Sequence, residues 1–133
     1  MMIDLERERS SRKRLSGWMN VLIGYVRSSK PDLTNRQFAL LMLVYLSPGP
    51  HTVRAIAARL RVSKPVVTRA LNSLGALGYV RRQKDESDLR NVFIERTPQG
   101  RAFLEAFAAL IEGAEADNGN AAEDQRAEVA FHA

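Results

Sequence analysis

Thr68, Arg69 and Asn72 lie close together in the chain and carry the chemistry needed to read base edges. Arg matches the O6/N7 edge of guanine, Asn matches adenine, and a Thr methyl packs on the thymine methyl. At a helical period of about 100° per residue, Pro65, Thr68, Arg69, Asn72 and Ala76 fall on one side. Val67, Ala70, Leu71, Leu74 and Leu77 fall on the other. The spacing therefore predicts a helix with an apolar inner face and a small or polar outer one. Ser63 stands where an N-cap belongs, Lys64 and Pro65 open the first turn, and Gly78 supplies the stop. A helix N-terminus also attracts anions, so Ser63 doubles as a phosphate candidate. Tyr79 to Lys84 then reads as a basic strand, with Arg81, Arg82 and Lys84 as phosphate-facing candidates.

Charge distribution agrees with this placement. The 133 residues carry a formal net charge of +5, and residues 51–97 hold ten Lys/Arg against four Asp/Glu. Residues 98–133 hold two Arg against seven Asp/Glu, so the positive field sits on the middle of the chain. The chain has no cysteine, which excludes disulfides and thiolate metal sites. No His pair at metal spacing, Gly-rich phosphate loop or Gly-x-Ser-x-Gly occurs, so an enzyme, a bound metal and a cofactor are not expected. The longest apolar run, Phe38 to Leu46, has nine residues and is too short to span a bilayer. The charged N-terminal segment does not resemble a signal peptide, and the expected compartment is the cytoplasm.

Several further elements must hold these residues in place. Residues 3–29 predict one long helix with Leu15, Trp18, Met19, Leu22, Ile23 and Val26 at helical spacing. Thr34 and Gln37 form a capping-box pattern before the buried-looking Phe38–Leu46. Ser47-Pro-Gly-Pro50 ends that helix. Thr52 caps a third helix with Val53, Ile56, Ala57 and Leu60 inside and Arg54, Arg59 and Arg61 outside. That helix, a short turn at Arg61–Ser63 and the helix after it make a helix-turn-helix. Residues 79–84 and 91–97 predict a β-hairpin, with polar Asp85 to Arg90 between its strands. Thr97 and Pro98 open a fifth helix with Leu104, Phe107, Leu110 and Ile111 inside. Asp117-Asn-Gly-Asn120 is expected to break it, leaving a short tail helix. Tyr45 and Trp18 read as core residues and His51 as a surface histidine.

With helix-turn-helix and hairpin in place, roughly residues 10–112 resemble the MarR family of bacterial transcription regulators. The resemblance is carried by Ser63, Thr68, Arg69, Leu71, Leu74 and Leu77-Gly-Tyr-Val-Arg-Arg82. It continues in Asp85-x-x-Asp88-x-Arg90, Ile94 and Thr97-Pro-Gln-Gly100. Leu89 stands where the family usually carries a wing-tip Arg, and Arg96 where an apolar residue usually precedes the Thr.

The expected fold is mostly α with a small β-hairpin wing, a winged helix-turn-helix forming a single domain over 1–133. Residues 34–97 would be the DNA-binding core, with 1–29 and 98–133 as flanking helices. The resemblance implies a homodimeric, sequence-specific regulator, a repressor, on a pseudo-palindrome of double-stranded DNA. It also implies release by a small aromatic effector. Candidate DNA contacts are Arg54, Ser63, Lys64, Pro65, Thr68, Arg69, Asn72, Arg81, Arg82, Lys84, Asp88 and Arg90. In the family, Asp85, Asp88 and Arg90 organise the wing, and the first and last helices hold the dimer. Leu15, Trp18, Leu22, Leu104, Phe107 and Ile111 are the interface candidates. A winged helix that docks on an acidic protein partner and a low-specificity nucleoid-type binder are the alternatives. No membrane partner is expected.

Overall fold

A computed structural model describes the backbone of residues 2–132 and the side chains of residues 2–117. The element order is α1 (Met2–Arg27), α2 (Asn35–Leu46), α3 (Val53–Leu60), α4 (Lys64–Ala76), β1 (Val80–Lys84), β2 (Val92–Arg96) and α5 (Pro98–His132). The chain divides into two units, Met1–Pro31 with Ala106–Ala133, and Asp32–Glu105.

The Asp32–Glu105 unit is a winged helix. Its α2 starts on a complete capping box. Thr34 Oγ1 accepts from the Gln37 N–H at 3.2 Å, and Gln37 Oε1 accepts from the Thr34 N–H at 2.9 Å. Leu40, Leu41 and Val44 of α2 meet Ile56 of α3 and Val67, Leu71 and Leu74 of α4 in a core closed to solvent. Thr52 caps α3 by accepting from the Ala55 N–H at 3.1 Å. The turn into α4 depends on Arg61 in the left-handed region (φ 54°), which lets the Val62 N–H reach back to the Ala57 carbonyl at 3.1 Å. Gly78 closes α4 in the same way, at φ 77°, with the Tyr79 N–H on the Leu74 carbonyl at 2.9 Å.

β1 and β2 pair antiparallel, with Val80 opposite Arg96, Arg82 opposite Ile94 and Lys84 opposite Val92. The root of the hairpin is extended by residues ahead of α3. Thr52 bridges Phe93, and the Ile94 N–H donates to the His51 carbonyl at 2.8 Å. His51 is therefore buried, not on the surface as its flanking prolines and polarity suggested. Its Nε2 lies 3.1 Å from the Ser47 carbonyl, an oxygen that can only accept, so Nε2 carries the proton.

Tyr45 joins three segments of this unit. Its hydroxyl accepts from the Thr97 N–H at 2.8 Å and lies 2.9 Å from the carbonyls of both Tyr79 and Thr97. The opening of α5 packs onto it. Thr97 Oγ1 accepts from the Gly100 N–H at 3.0 Å and donates to the Gly78 carbonyl at 2.6 Å. Phe103 stacks on Tyr79 at 4.6 Å between centroids and is buried, a core position outside the apolar side expected for α5. Arg96 turns back to the end of α2, where Nε donates to the Val44 carbonyl at 2.9 Å and Nη2 to the Ser47 carbonyl at 3.3 Å. A cation that satisfies the last carbonyls of a helix also suits its dipole. That contact explains why a charged residue stands at an apolar position of the family pattern.

In the unit built from α1 and the later part of α5, Tyr25 and Phe107 pack edge to face at 5.7 Å. Val21 and Ala114 are buried with them. Phe107 is thus covered within its own chain, which removes it from the residues open to a partner. Leu15, Trp18 and Leu22 remain exposed, and Trp18 at 56% is not the core residue expected. Trp18, Gly17, Val21, Ile111 and Ala114 line an open groove of about 470 Å³, with Lys13, Arg14 and Glu115 at its sides. Helix α5 runs on through Asp117–Asn120 to His132 instead of breaking there. One glycine costs about 1 kcal/mol relative to Ala in a helix, and the Ala-rich sequence on both sides tolerates it. The side chains of the expected tail helix lie outside the described residues.

Candidate nucleic-acid interface

The outer face of α4 is built as the periodicity required. Val67, Ala70, Leu71 and Leu74 are buried, while Lys64, Pro65, Thr68, Arg69 and Asn72 face solvent. Ser63 occupies the N-cap in extended conformation, but its side chain makes no capping hydrogen bond. Its hydroxyl is therefore not committed to the helix it precedes. Among the described residues, the charged groups of Lys64 and Arg69 have no ion-pair partner. Arg69 also lines a groove of about 210 Å³ with Arg36, Gln37, Val66, Ala70 and Ser73. Arg36, at the start of α2, was not among the sequence candidates. Only its distance along the chain hid it, because it sits beside Arg69 in space. Arg54 on α3 is exposed.

The basic residues of β1 have different fates. Arg81 is held across the hairpin by Glu95, with Nη2 at 2.6 Å and Nε at 3.1 Å from the same carboxylate oxygen. Its charge is locally neutralised, so it adds less to the outward field than the sequence suggested. Arg82 leaves the hairpin for α4, where Nη2 donates to Asn72 Oδ1 at 2.5 Å and to the Thr68 carbonyl at 3.2 Å. Lys84 stays exposed without an ion pair among the described residues.

The loop between the strands is organised by its two aspartates. Asp85 Oδ1 accepts from the Ser87 N–H at 2.9 Å and from the Ser87 hydroxyl at 2.6 Å. The Ser87 hydroxyl bond, opposed by desolvation and joined by backbone N–H bonds from Ser87 and Asp88, holds the Asp85 carboxyl below its ordinary value. Asp88 Oδ1 accepts from the Arg90 N–H at 3.1 Å and from Nε of its guanidinium at 3.2 Å. Asp88 thus orients Arg90, whose side chain remains 85% exposed. Leu89 beside it is exposed as well.

These parts make a surface that can place an Arg, an Asn and a Thr methyl along one groove and a second Arg some distance away on a braced loop. No cluster of three or more metal-ligating side chains occurs among the described residues, and none of the described helices is long and apolar enough to cross a membrane.

Comparison with known proteins agrees with this architecture. The MarR family description matches residues 32–90, the segment that spans α2, the helix-turn-helix and the hairpin loop. The transcriptional regulator AdcR of Streptococcus pneumoniae is 39% identical over 85 residues, covering 64% of this chain and 56% of AdcR. The chain thus spans about half the length of that relative. Among solved structures, a mutant of S. aureus MepR superposes with a TM-score of 0.69 at 21% identity, covering 99% of this chain and 94% of that one. A second MepR mutant, bound to an oligodeoxyribonucleotide, gives 0.67 at 22% identity, covering 99% and 95%. At such identities the structures establish the fold, and the sequence match over residues 32–90 supplies the relationship. Through those residues, and the winged helix they build, the chain resembles the MarR family.

Proposed function

We propose that the protein is a sequence-specific DNA-binding transcription regulator, a repressor, that binds a pseudo-palindromic operator as a homodimer. The outer face of α4 carries the reading. Lys64, Thr68, Arg69 and Asn72 are exposed on a helix whose other face is locked in the core, so the face is rigid and chemically matched to a major groove. Arg90, held by Asp88 on the hairpin loop, is the minor-groove arm. The exposed row Leu15, Trp18 and Leu22 on α1 supports a second copy as partner, together with Ile111 and Leu104 of α5. A MepR mutant of the same fold is bound to an oligodeoxyribonucleotide. A regulator of this kind is not an enzyme and works in the cytoplasm. Release by a small aromatic effector follows from the family resemblance and belongs to the same proposal.

Selection of bound duplexes from a random library is the test. Expected is an enriched two-fold symmetric motif, with affinity that falls ~10³–10⁵-fold between 50 and 200 mM salt if about 6–10 phosphates are neutralised. Recovery of unselected sequence with strong salt dependence would identify a low-specificity binder instead. A flat salt response without enrichment would sink the DNA-binding reading altogether.

A further inference from the structure

Arg82 belongs to β1, yet its guanidinium lies against α4. It donates from Nη2 to Asn72 Oδ1 at 2.5 Å and to the Thr68 carbonyl at 3.2 Å. A guanidinium carries only donors. The Asn72 amide can therefore meet it only through its oxygen, and its NH₂ group is directed elsewhere. The second bond ties the same nitrogen to the helix backbone, so the amide is fixed relative to α4 and not merely paired with a mobile side chain.

Recognition of adenine by Asn needs both ends of the amide. Oδ1 accepts from the N6 amine while the NH₂ donates to N7. Here Oδ1 already faces a cation. An adenine amine would bring a second donor to the same atom beside a guanidinium, where charge and bulk both oppose it. The NH₂ end has no such competitor. We propose that Arg82 is a positioning residue that makes Asn72 a donor-only reader of the major groove. Asn72 then selects acceptors, namely purine N7, guanine O6 or thymine O4, and rejects the N4 amine of cytosine. The inference rests on the DNA-binding reading above and specifies how one of its residues discriminates.

The test uses the full chain on the operator obtained by selection. Asn72→Ala first locates the base pair that Asn72 reads. With adenine placed there, competition binding compares three bases: adenine, purine without its 6-amino group, and 7-deazaadenine. For the wild type, loss of the 6-amino group should leave affinity within about twofold, while loss of N7 should lower it about fivefold, the worth of one hydrogen bond. In Arg82→Ala the oxygen is released, so loss of the 6-amino group should now also cost about fivefold, and the base ranking should move towards adenine.

A wild type that loses affinity when the 6-amino group is removed overturns the inference. So does an Arg82→Ala protein weakened equally on every duplex with its ranking unchanged, since that marks a plain phosphate contact. An Asn72→Ala protein with unaltered base preference overturns it too. Failure of the wild type to select any motif would instead overturn the DNA-reading proposal, and this result is distinguishable because no operator would then exist to vary.

Discussion

Gly100 stands so close to the Tyr45 ring that a methyl group at its Cα would collide with the tyrosine. A Cβ there would fall 2.8 Å from Tyr45 Cζ and closer still to the hydroxyl and to the Tyr79 carbonyl. Two of these groups are polar and hydrogen-bonded and one is backbone, so none can yield cheaply. Gly100→Ala should destabilise the protein by about 1–3 kcal/mol through overpacking. Tyr45→Phe should cost a similar 1–3 kcal/mol by leaving the Thr97 N–H without its acceptor. Urea denaturation of both variants is the check. A Gly100→Ala protein as stable as the wild type would show that α5 can shift away from α2.

Arg69→Ala and Arg90→Ala should fail differently. Arg69 lies mid-helix on the exposed face of α4, so its loss should cost about 1–3 kcal/mol and relax preference at one base position. Arg90 lies on the hairpin loop, and its loss should weaken binding while leaving the major-groove consensus nearly unchanged. Competition against a panel of operator variants separates the two. Uniform weakening by Arg69→Ala on every sequence would reassign that residue to phosphate contact.

Removing a negative charge should strengthen binding to DNA of any sequence. Glu95 holds Arg81 at 2.6 Å on an exposed strand face. Glu95→Gln leaves that guanidinium unneutralised. If this face of the hairpin approaches phosphate, the salt slope of non-specific binding should steepen by about 1 per protomer. An unchanged slope would place Arg81 away from the DNA.

The exposed apolar row on α1 predicts what would break the proposed dimer. Trp18 and Leu22 are 56% and 55% exposed in the single chain. Leu22→Glu puts a carboxylate into that row and should yield a folded monomer by light scattering at micromolar concentration, because an unpaired charge is costly to bury. A persistent dimer would move the interface elsewhere. Deleting residues 121–133 should leave a dimer that still binds DNA.

Acid should loosen the hairpin loop only once pH falls below the ordinary carboxylate value. The Asp85 carboxyl lies below its ordinary value because Ser87 bonds to its charged form. The group's contribution is therefore fully present above the ordinary carboxylate value and is lost as pH falls through the depressed one. The Ser87 amide resonance should shift with a midpoint below the ordinary 3.8. A midpoint at or above that value would show that the Asp85–Ser87 turn is not held in solution.

The parts of this architecture encoded by neighbouring residues were legible in the sequence. The capping box of Thr34 and Gln37, the inner stripe of α4 and the Thr97–Pro98 start of α5 each depend on residues within a few positions of one another. Contacts between distant segments were not. Arg96 caps a helix that ended 50 residues earlier, and no local pattern distinguishes such an arginine from one that solvates a strand. Arg82 and Asn72 were each assigned an outward role because periodicity shows which way a side chain leaves its own element, not that two such side chains meet. Phe103 sits one helical turn before Phe107 and is buried as well. The buried face of α5 is simply wider than the four residues that suggested it. The helix also outlasts Asp117–Asn120, because the alanines around those breaker residues favour its continuation.

The bridge between Thr52 and Phe93 joins the hairpin root to the residue that caps α3. The hairpin therefore cannot swing without dragging the first helix of the reading pair, and α3 is packed against α4, with Ile56, Leu71 and Leu74 buried. In the proposed DNA complex the molecule would work like a caliper with set jaws: the distance between what α4 reads and what Arg90 reaches would belong to the protein, not to the DNA. One base pair inserted between those two contacts should abolish tight binding while every contacted base is retained. Operators would be told apart by a length that no side chain measures.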